Sequence, residues 1–193
     1  MELKITNTTE TFESWLEKSF IDDELRRILV KSSILIVPYE NLRDTKIPPF
    51  PVGTENVLRY FQEHLPQEQA IDICISDEDY RIFEFNSHYK KIGKFVVLVV
   101  AIPAFVNVLS SYVYDTFIKM DETKPQIQVI DNSTYNTTIN HISTLTDKKY
   151  LEPTHIEFSV TVIDTDGVSK NISYEGPATE IDNVLKALKE YEK

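Results

Sequence analysis

Apolar residues recur at helical spacing near the start of the chain. Within residues 11–30, Trp15, Leu16 and Phe20 fall on one face of a helix, and a second apolar stripe follows an acidic run. Because acidic residues favour the start of a helix, the pattern predicts two short helices with a bend near Ile21. Two interpretations of the first face remain open. It is either a partner-binding face formed by Trp15, Leu16 and Phe20, or part of an amphipathic pair that packs on the protein's own core.

The pattern then changes between strand and helix. An all-apolar run at residues 34–37 predicts a buried strand, and Thr54 is suited to cap the helical stripe that follows it. Isoleucines that alternate with polar residues over 71–75 predict a half-buried strand, which an acidic turn would connect to a returning strand at 80–85. We therefore expect residues 1–91 to form a small α+β domain.

The clearest alternation of apolar and polar residues lies in the C-terminal part of the chain. It covers residues 155–164, and an Asp-Gly pair ending at Gly167 leads into a second strand at 168–175. Asp-Gly between two alternating runs is the strongest short-range signal for a β-hairpin. Two weaker strand signals precede the hairpin, at 126–130 and 135–142.

A last helical stripe follows the hairpin. Thr179 is suited to cap this helix, and Leu185 lies on its apolar face. Because the hairpin also has one apolar face, we expect the helix to cover it. Leu185 should then be buried against Phe158 or Val160.

An uncharged run over residues 95–113, called the apolar stretch below, decides the architecture. Its length is close to the roughly 20 residues that a helix needs to cross the hydrocarbon core of a bilayer. Tyr89 and Tyr112 stand near its two ends, as an aromatic belt would, and Lys90, Lys91 and Lys94 precede it. The first interpretation is therefore a single-pass transmembrane helix with the N-terminal domain in the cytoplasm.

The alternative interpretation buries the apolar stretch in the core of a soluble, cytoplasmic protein. Its first part, up to Ile102, is then a central strand, and Pro103 occupies the first turn of an amphipathic helix. Under either interpretation the membrane or core positions are the same. They are Phe95, Val96, Val97, Leu98, Val99, Val100, Ile102, Pro103, Phe105, Leu109 and Val113.

These patterns together predict the α+β fold class. We expect an N-terminal α+β domain at residues 1–91, a central hydrophobic segment at 92–119, and C-terminal strands with a terminal helix at 120–193. In the first interpretation the central segment is a transmembrane helix, and the C-terminal β-hairpin packs on the terminal helix.

The charge of the chain excludes some classes of partner. The formal net charge is -11 and the pI is about 4.8. An acidic surface disfavours non-specific binding to nucleic acid and docking on anionic lipid through a polybasic patch. We therefore expect no nucleic-acid partner. The single cysteine, Cys74, excludes an internal disulfide and a cysteine-based zinc site.

Candidate catalytic and metal-binding residues are scattered. The four histidines lack metal-ligand spacing, and no nucleophile-elbow, phosphate-loop or zinc-protease motif occurs. Asp77, Glu78 and Asp79 are close enough in sequence to consider calcium, but a solvated turn explains them better. We therefore expect no catalytic residue, no metal and no cofactor, and a protein that is not an enzyme.

Three local signals resemble one protein family. They are the SWLEKSFIDDELRR segment near the start, the apolar stretch, and the terminal segment IEFSVTVIDTDGVSKNISYEGPATEIDNVLKALKEY with Asp166 and Gly167 in its turn. In their order these signals resemble the effector-associated constant component proteins of bacterial conflict systems. The resemblance implies a non-enzymatic, membrane-associated adaptor in antiviral defence, whose partner is an effector or another protein subunit. The alternative function is a soluble α+β binding module with the apolar stretch in its core.

Overall fold

The computed structural model describes residues 2–40, 42, 45–84, 87–119 and 153–192. The strands predicted at 126–130 and 135–142 lie outside the described residues. The strands are β1 (Glu2–Thr8), β2 (Ile34–Val37), β3 (Phe50–Pro51), β4 (Ile71–Ile73), β5 (Ile82–Phe83), β6 (Lys90–Leu98), β7 (His155–Ile163) and β8 (Ser169–Pro177). The α-helices are α1 (Phe12–Leu16), α2 (Asp23–Leu29), α3 (Thr54–His64), α4 (Ile102–Val113) and α5 (Asp182–Lys189).

Six of the strands form one mixed sheet in the order β1-β8-β7-β6-β2-β4. The pairs β1–β8, β8–β7 and β6–β2 are antiparallel, whereas β7–β6 and β2–β4 are parallel. The strands β3 and β5 form a separate two-stranded parallel pair. Helices and a mixed sheet confirm the predicted α+β class.

The predicted pair of N-terminal helices is confirmed. Thr11 and Ser14 form a capping box at the start of α1, and the carboxylate of Asp22 accepts a hydrogen bond of 2.8 Å from the Leu25 amide at the start of α2. The chain bends between the two helices, where Ile21 is buried. Both helices lie over one face of the sheet, where they share a core with Leu35 of β2 and other residues.

The apolar stretch is divided between a strand and a helix. Its first residues, up to Leu98, complete β6, which is hydrogen-bonded between β2 and β7. A 3₁₀ turn then leads into α4, with Pro103 in the first turn of the helix, where the missing amide costs no hydrogen bond. The expectation of one helix over the whole of residues 95–113 was therefore wrong, because central strand pairing takes the valine-rich part. The alternative interpretation predicts this strand-then-helix division and the place of Pro103 in the first helical turn, but its strand was expected to reach Ile102 and ends at Leu98.

The helical run that remains is still long and apolar. Val99–Ile118 spans 20 residues and, by length and composition alone, is sufficient to cross a membrane. Within it, α4 packs in the core, where the Phe105 ring lies 5.2 Å from Phe95 and 5.5 Å from Phe61. In the most apolar part of this run, 44% of the residues are buried inside the protein. These properties are compatible with a membrane helix and with a core helix.

The C-terminal hairpin and its covering helix are confirmed. β7 and β8 pair antiparallel, and Gly167 in their turn has a φ of +74°, which favours glycine. Leu185 on α5 is buried in the same core as Phe158. Thr179 does not cap α5, because a 3₁₀ turn over Ala178–Glu180 comes first and the helix begins at Asp182.

Two strand expectations need correction. The strand at 71–75 does not pair with the segment at 80–85, because β4 pairs in parallel with β2 and β5 pairs with β3. The sequence also gave no prediction for β1, an edge strand in which most residues are exposed. The six-stranded sheet draws its strands from all three predicted segments of the chain.

The two faces of the sheet are covered unequally. Helices α3, α4 and α5 share one core with β2, β4, β6, β7 and β8 on the first face. On the second face, α1 and α2 share a smaller core with residues of β2 and β6 and with Ile163 at the end of β7. Residues of β1 and β8 are absent from that smaller core within the described part of the chain. None of the described helices therefore covers the second face over β1, β8 and most of β7.

Candidate functional site

The positions assigned to the membrane or core segment fall mainly in the interior. Two of them are exceptions, since Val100 is 65% exposed and Pro103 is exposed. Leu98 and Val99 are half-buried. The remaining positions are buried: Phe95, Val96, Val97, Ile102, Phe105, Leu109 and Val113.

The possible partner face on α1 is occupied within the chain. Trp15 is 2% exposed and Leu16 is also buried, both in the core under α1 and α2. Phe20 is half-buried and packs against the same core. The Lys18 ammonium lies 4.8 Å from the centre of the Trp15 ring, which gives a cation–π contact at the edge of this core.

A cleft of about 720 Å³ lies at the β4 edge of the sheet, beside residues from the starts of α2 and α3. We call it the acidic cleft. Six of its lining residues are carboxylates, and no lysine, arginine or histidine lines it among the described residues. The acidic lining consists of Asp22, Glu24, Glu55, Asp72, Asp77 and Glu78.

The carboxylates reach the acidic cleft for separate local reasons. Asp22 caps α2, and Glu24 and Glu55 lie in the first turns of α2 and α3, where the helix dipole favours negative charge. Asp77 and Glu78 lie in the exposed turn that follows β4. Parallel pairing of β2 with β4 brings these segments to one edge of the sheet, so their charges add up in one place.

Asp72 shows the electrostatic character of the cleft. Its carboxylate accepts a hydrogen bond of 2.8 Å from the Ile73 amide. Burial raises the pKa of Asp72, the bond from the Ile73 amide opposes this shift, and the nearby charge of Asp77 raises the pKa further. A partly desolvated carboxylate beside another acidic group would gain from a cationic neighbour.

Apolar side chains share the lining with the carboxylates. Leu25 and Ile28 come from α2, Leu58 from α3, and Ile73 and Ile75 from β4 and the turn after it. Ile28 is 50% exposed, which is high for a large aliphatic side chain. The cleft therefore combines apolar contact area with one sign of charge.

The backbone at this edge of the sheet is already hydrogen-bonded at Ile73. Its amide donates to Asp72, and its carbonyl accepts a hydrogen bond of 2.9 Å from the Ile75 amide. These bonds block addition of another strand at this residue, in the way that natural sheet edges are protected. A ligand would therefore contact the side chains that line the acidic cleft and would not pair with the backbone at Ile73.

Other candidate chemistry is dispersed in the structure. The described residues contain no group of three or more histidine, cysteine or acidic side chains placed to hold a metal ion. His64 stacks on Tyr60 with ring centres 4.1 Å apart, and His155 packs edge-on against Tyr89. Burial, the largest cause, raises the pKa of the Cys74 thiol to about 12, so this cysteine is not poised as a nucleophile.

Analysis of the sequence did not identify the acidic cleft. In the sequence, Asp22 and Glu24 indicate a helix start, and Asp77 and Glu78 indicate a solvated turn, with calcium as the less favoured alternative. The available signal was a high density of carboxylates at the ends of neighbouring elements. Its meaning depends on the β2–β4 pairing, which the sequence did not predict.

Comparisons with known proteins give no relative for this chain, since no family model, curated protein or solved structure matches it.

Proposed function

We propose that the protein is a non-catalytic binding module that docks a basic, amphipathic segment of a partner protein in the acidic cleft. The observation that carries this proposal is the lining of the cleft, with six carboxylates and no cationic side chain among its described residues. In this proposal the protein is soluble and the apolar stretch belongs to its core.

Charge and shape together define the partner. Complementary charge speeds encounter and selects the partner, whereas buried apolar contacts supply most of the affinity. Ile28 and its apolar neighbours offer such contacts, and the surrounding carboxylates select lysine or arginine. Since the backbone at Ile73 is already bonded, an amphipathic helix suits the cleft better than an added strand.

A peptide titration tests this docking proposal. A fluorescein-labelled amphipathic lysine–leucine peptide is titrated with the protein by fluorescence anisotropy, and its glutamate–leucine counterpart serves as the control ligand. The double variant Glu24→Gln with Glu78→Gln should weaken binding of the basic peptide by about tenfold, which corresponds to roughly 1.4 kcal/mol. Ile28→Ala should weaken it as well and leave the fold intact, because the side chain is half exposed.

The matched control separates the cleft from the overall charge of the protein. Glu13→Gln with Glu63→Gln removes the same amount of charge from exposed positions that do not line the cleft. Binding by this variant should stay within about twofold of the unchanged protein. If both double variants weaken binding equally, the peptide is attracted by net charge and the docking proposal fails.

A membrane-associated component is the second candidate, favoured by the length and composition of Val99–Ile118. Here Val99–Ile118 would cross the bilayer, with the N-terminal part cytoplasmic because Lys90, Lys91 and Lys94 precede it. Fractionation of cells expressing the protein distinguishes the candidates. Retention in a carbonate-washed membrane pellet would support the second, and recovery in the soluble fraction without detergent would exclude it.

The setting of a bacterial conflict system is proposed from the family resemblance alone. In that setting the basic segment would belong to an effector or another subunit encoded by a neighbouring gene. Co-purification of that gene's product with the protein, and its loss in the Glu24→Gln with Glu78→Gln variant, is the expected result. If the cleft variant and the unchanged protein recover equal amounts of this partner, the partner does not bind in the acidic cleft.

A further inference from the structure

The half of the second sheet face that no described helix covers contains a groove of about 490 Å³, which we call the polar groove. Its floor is formed by cross-strand rows of polar side chains from β6, β7, β8 and β1. This volume lies within the range of about 300–1,000 Å³ that is typical of small-molecule sites. The polar groove lies toward the β1 edge of the sheet, whereas the acidic cleft lies at the β4 edge.

A β-bulge puts two lysines on this face. In a regular strand, residues three positions apart point to opposite faces, so Lys91 and Lys94 would be separated. The register between β6 and β7 shifts between Lys91 and Gly93, so that one extra residue, Ile92, is accommodated. Gly93 has a φ of +141°, a backbone conformation that other residues rarely adopt. The bulge therefore turns both lysine side chains toward the polar face.

The Tyr39 ring contacts both lysines, with the Lys91 ammonium 5.6 Å from the ring centre, but the two lysines differ in their ion pairs. Lys91 forms an ion pair with Glu157, its cross-strand neighbour on β7. The Lys94 ammonium lies 4.9 Å from the centre of the Tyr39 ring, and none of the described carboxylates forms an ion pair with it. Tyr39 thus positions the Lys94 charge beside the groove without neutralising it.

Lys94 begins a row that crosses four strands. The register pairs it with Ser159, Ser159 with Ser173, and Ser173 with Lys4. Adjacent strands lie about 4.8 Å apart, so the two serine hydroxyls can reach one ligand group between the lysines. Neither hydroxyl makes a hydrogen bond to another described residue. Within the described part of the chain, the Lys4 ammonium has one ion pair, with Glu2 at 3.4 Å, and exposed pairs of this kind contribute little.

The neighbouring rows leave the lysine row available for a ligand. On one side lies a row of three carboxylates, Glu157, Glu175 and Glu2. Lys91 pairs with Glu157 and Lys4 with Glu2, while interaction with the Glu175 carboxylate raises the pKa of the Tyr89 hydroxyl. On the other side lies an amide–hydroxyl pair, in which Asn171 donates to Thr161 at 3.0 Å. The row between them presents cations and hydroxyls, which are donors for an oxyanion.

We propose that the polar groove binds a small hydroxylated molecule through one oxyanion group, either a phosphate or a carboxylate. The oxyanion lies over Ser159 and Ser173, between Lys94 and Lys4. The hydroxyls of the ligand face the adjoining polar rows of the groove. This proposal is independent of docking in the acidic cleft, because the two sites share none of their lining residues.

Nuclear magnetic resonance titration tests the site. The full chain, labelled with ¹⁵N, is titrated with glucose 6-phosphate, gluconate and, as the uncharged control, glucose. We expect saturating shifts of the amide signals of Lys94, Ser159 and Ser173 with at least one anionic probe and none with glucose. The probe that saturates at the lower concentration identifies the phosphate or the carboxylate as the preferred group.

Substitutions at the two ends of the row complete the test. Lys94→Met and Lys4→Met should each weaken binding by about three- to tenfold, whereas Lys31→Met, an exposed change outside the groove, should not. Lys4 lies on an exposed edge strand, so its variant remains informative if Lys94→Met does not fold. The proposal is overturned if neither anionic probe gives saturating shifts in the row, or if Lys31→Met weakens binding as much as Lys4→Met.

Discussion

Two substitutions on α4, one at a buried position and one at an exposed position, test whether this helix belongs to the core. Leu109 is fully buried, and Asn107 is exposed on the same helix. We expect Leu109→Ala to be strongly destabilising and Asn107→Lys to be tolerated. A helix surrounded by lipid would show the opposite order.

The magnitudes follow from the burial of the two side chains. Truncating a fully buried leucine costs about 2–5 kcal/mol, because transfer free energy is lost and a cavity remains. An exposed substitution usually changes the free energy of unfolding by less than about 0.5 kcal/mol. In a bilayer, a central lysine costs about 2.5–3.5 kcal/mol, whereas a leucine contributes only about 0.3–0.6 kcal/mol to insertion.

Thermal unfolding of the purified variants, followed by circular dichroism, measures this order. For a chain of this size, each kcal/mol shifts Tm by about 2–4 °C, so Leu109→Ala should lower it by roughly 4–20 °C. Asn107→Lys should change Tm by less than about 2 °C. A drop in Tm for Asn107→Lys as large as that for Leu109→Ala would refute the placement of α4 in the core.

Three further predictions follow from burial elsewhere. Leu185→Ala should cost about 2–5 kcal/mol in urea unfolding, because Leu185 holds α5 against the sheet, and a loss below about 0.5 kcal/mol would show that α5 does not dock there. The raised pKa of Asp72 means that the folded protein favours its protonated form, so its contribution to stability falls as pH rises above the unfolded-state value of about 3.9. Asp72→Asn should therefore have a higher Tm than the unchanged protein near neutral pH, and the difference should disappear at lower pH. Equal Tm values for the two proteins near neutral pH would contradict this prediction. Cys74 should react with a thiol reagent only at the rate of unfolding, and fast labelling under native conditions would contradict its burial.

The local elements could be predicted because their signals are short-range. The bend near Ile21, the helix after Gly53 and the hairpin around Gly167 all depend on residues close together in sequence. Apolar periodicity, capping residues and an Asp-Gly turn determine such elements before any long-range pairing is known. The C-terminal helix was also predicted, although its first residue was not.

Strand pairing could not be predicted in the same way. β4 was expected to pair with the next strand along the chain, yet its partner is β2. An apolar strand can form the same ladder with several others, and the choice depends on the complete sheet. For the same reason, a run rich in valine near Val97 was compatible with a helix until its two neighbouring strands were known.

The two candidate sites depend on that pairing. Asp22 and Asp77 are far apart in sequence and meet at the acidic cleft only because β4 lies beside β2. Likewise, Lys4 and Ser173 become neighbours only when β1 pairs with β8. The amino-acid types were visible in the sequence, but their proximity was not.

The pairing of β1 with β8 also has a consequence for the order of folding. β1 joins residues near opposite ends of the chain, such as Glu2 and Glu175, and bringing such distant segments together has a high loop-closure entropy. The β7–β8 hairpin needs only a short loop, so it can form early and provide the template. We therefore expect β1 to be the last strand to join the sheet and the first to leave it. The polar groove would then be completed only at the final step of folding, and fraying of β1 would remove Lys4 from the groove while the rest of the protein stays folded.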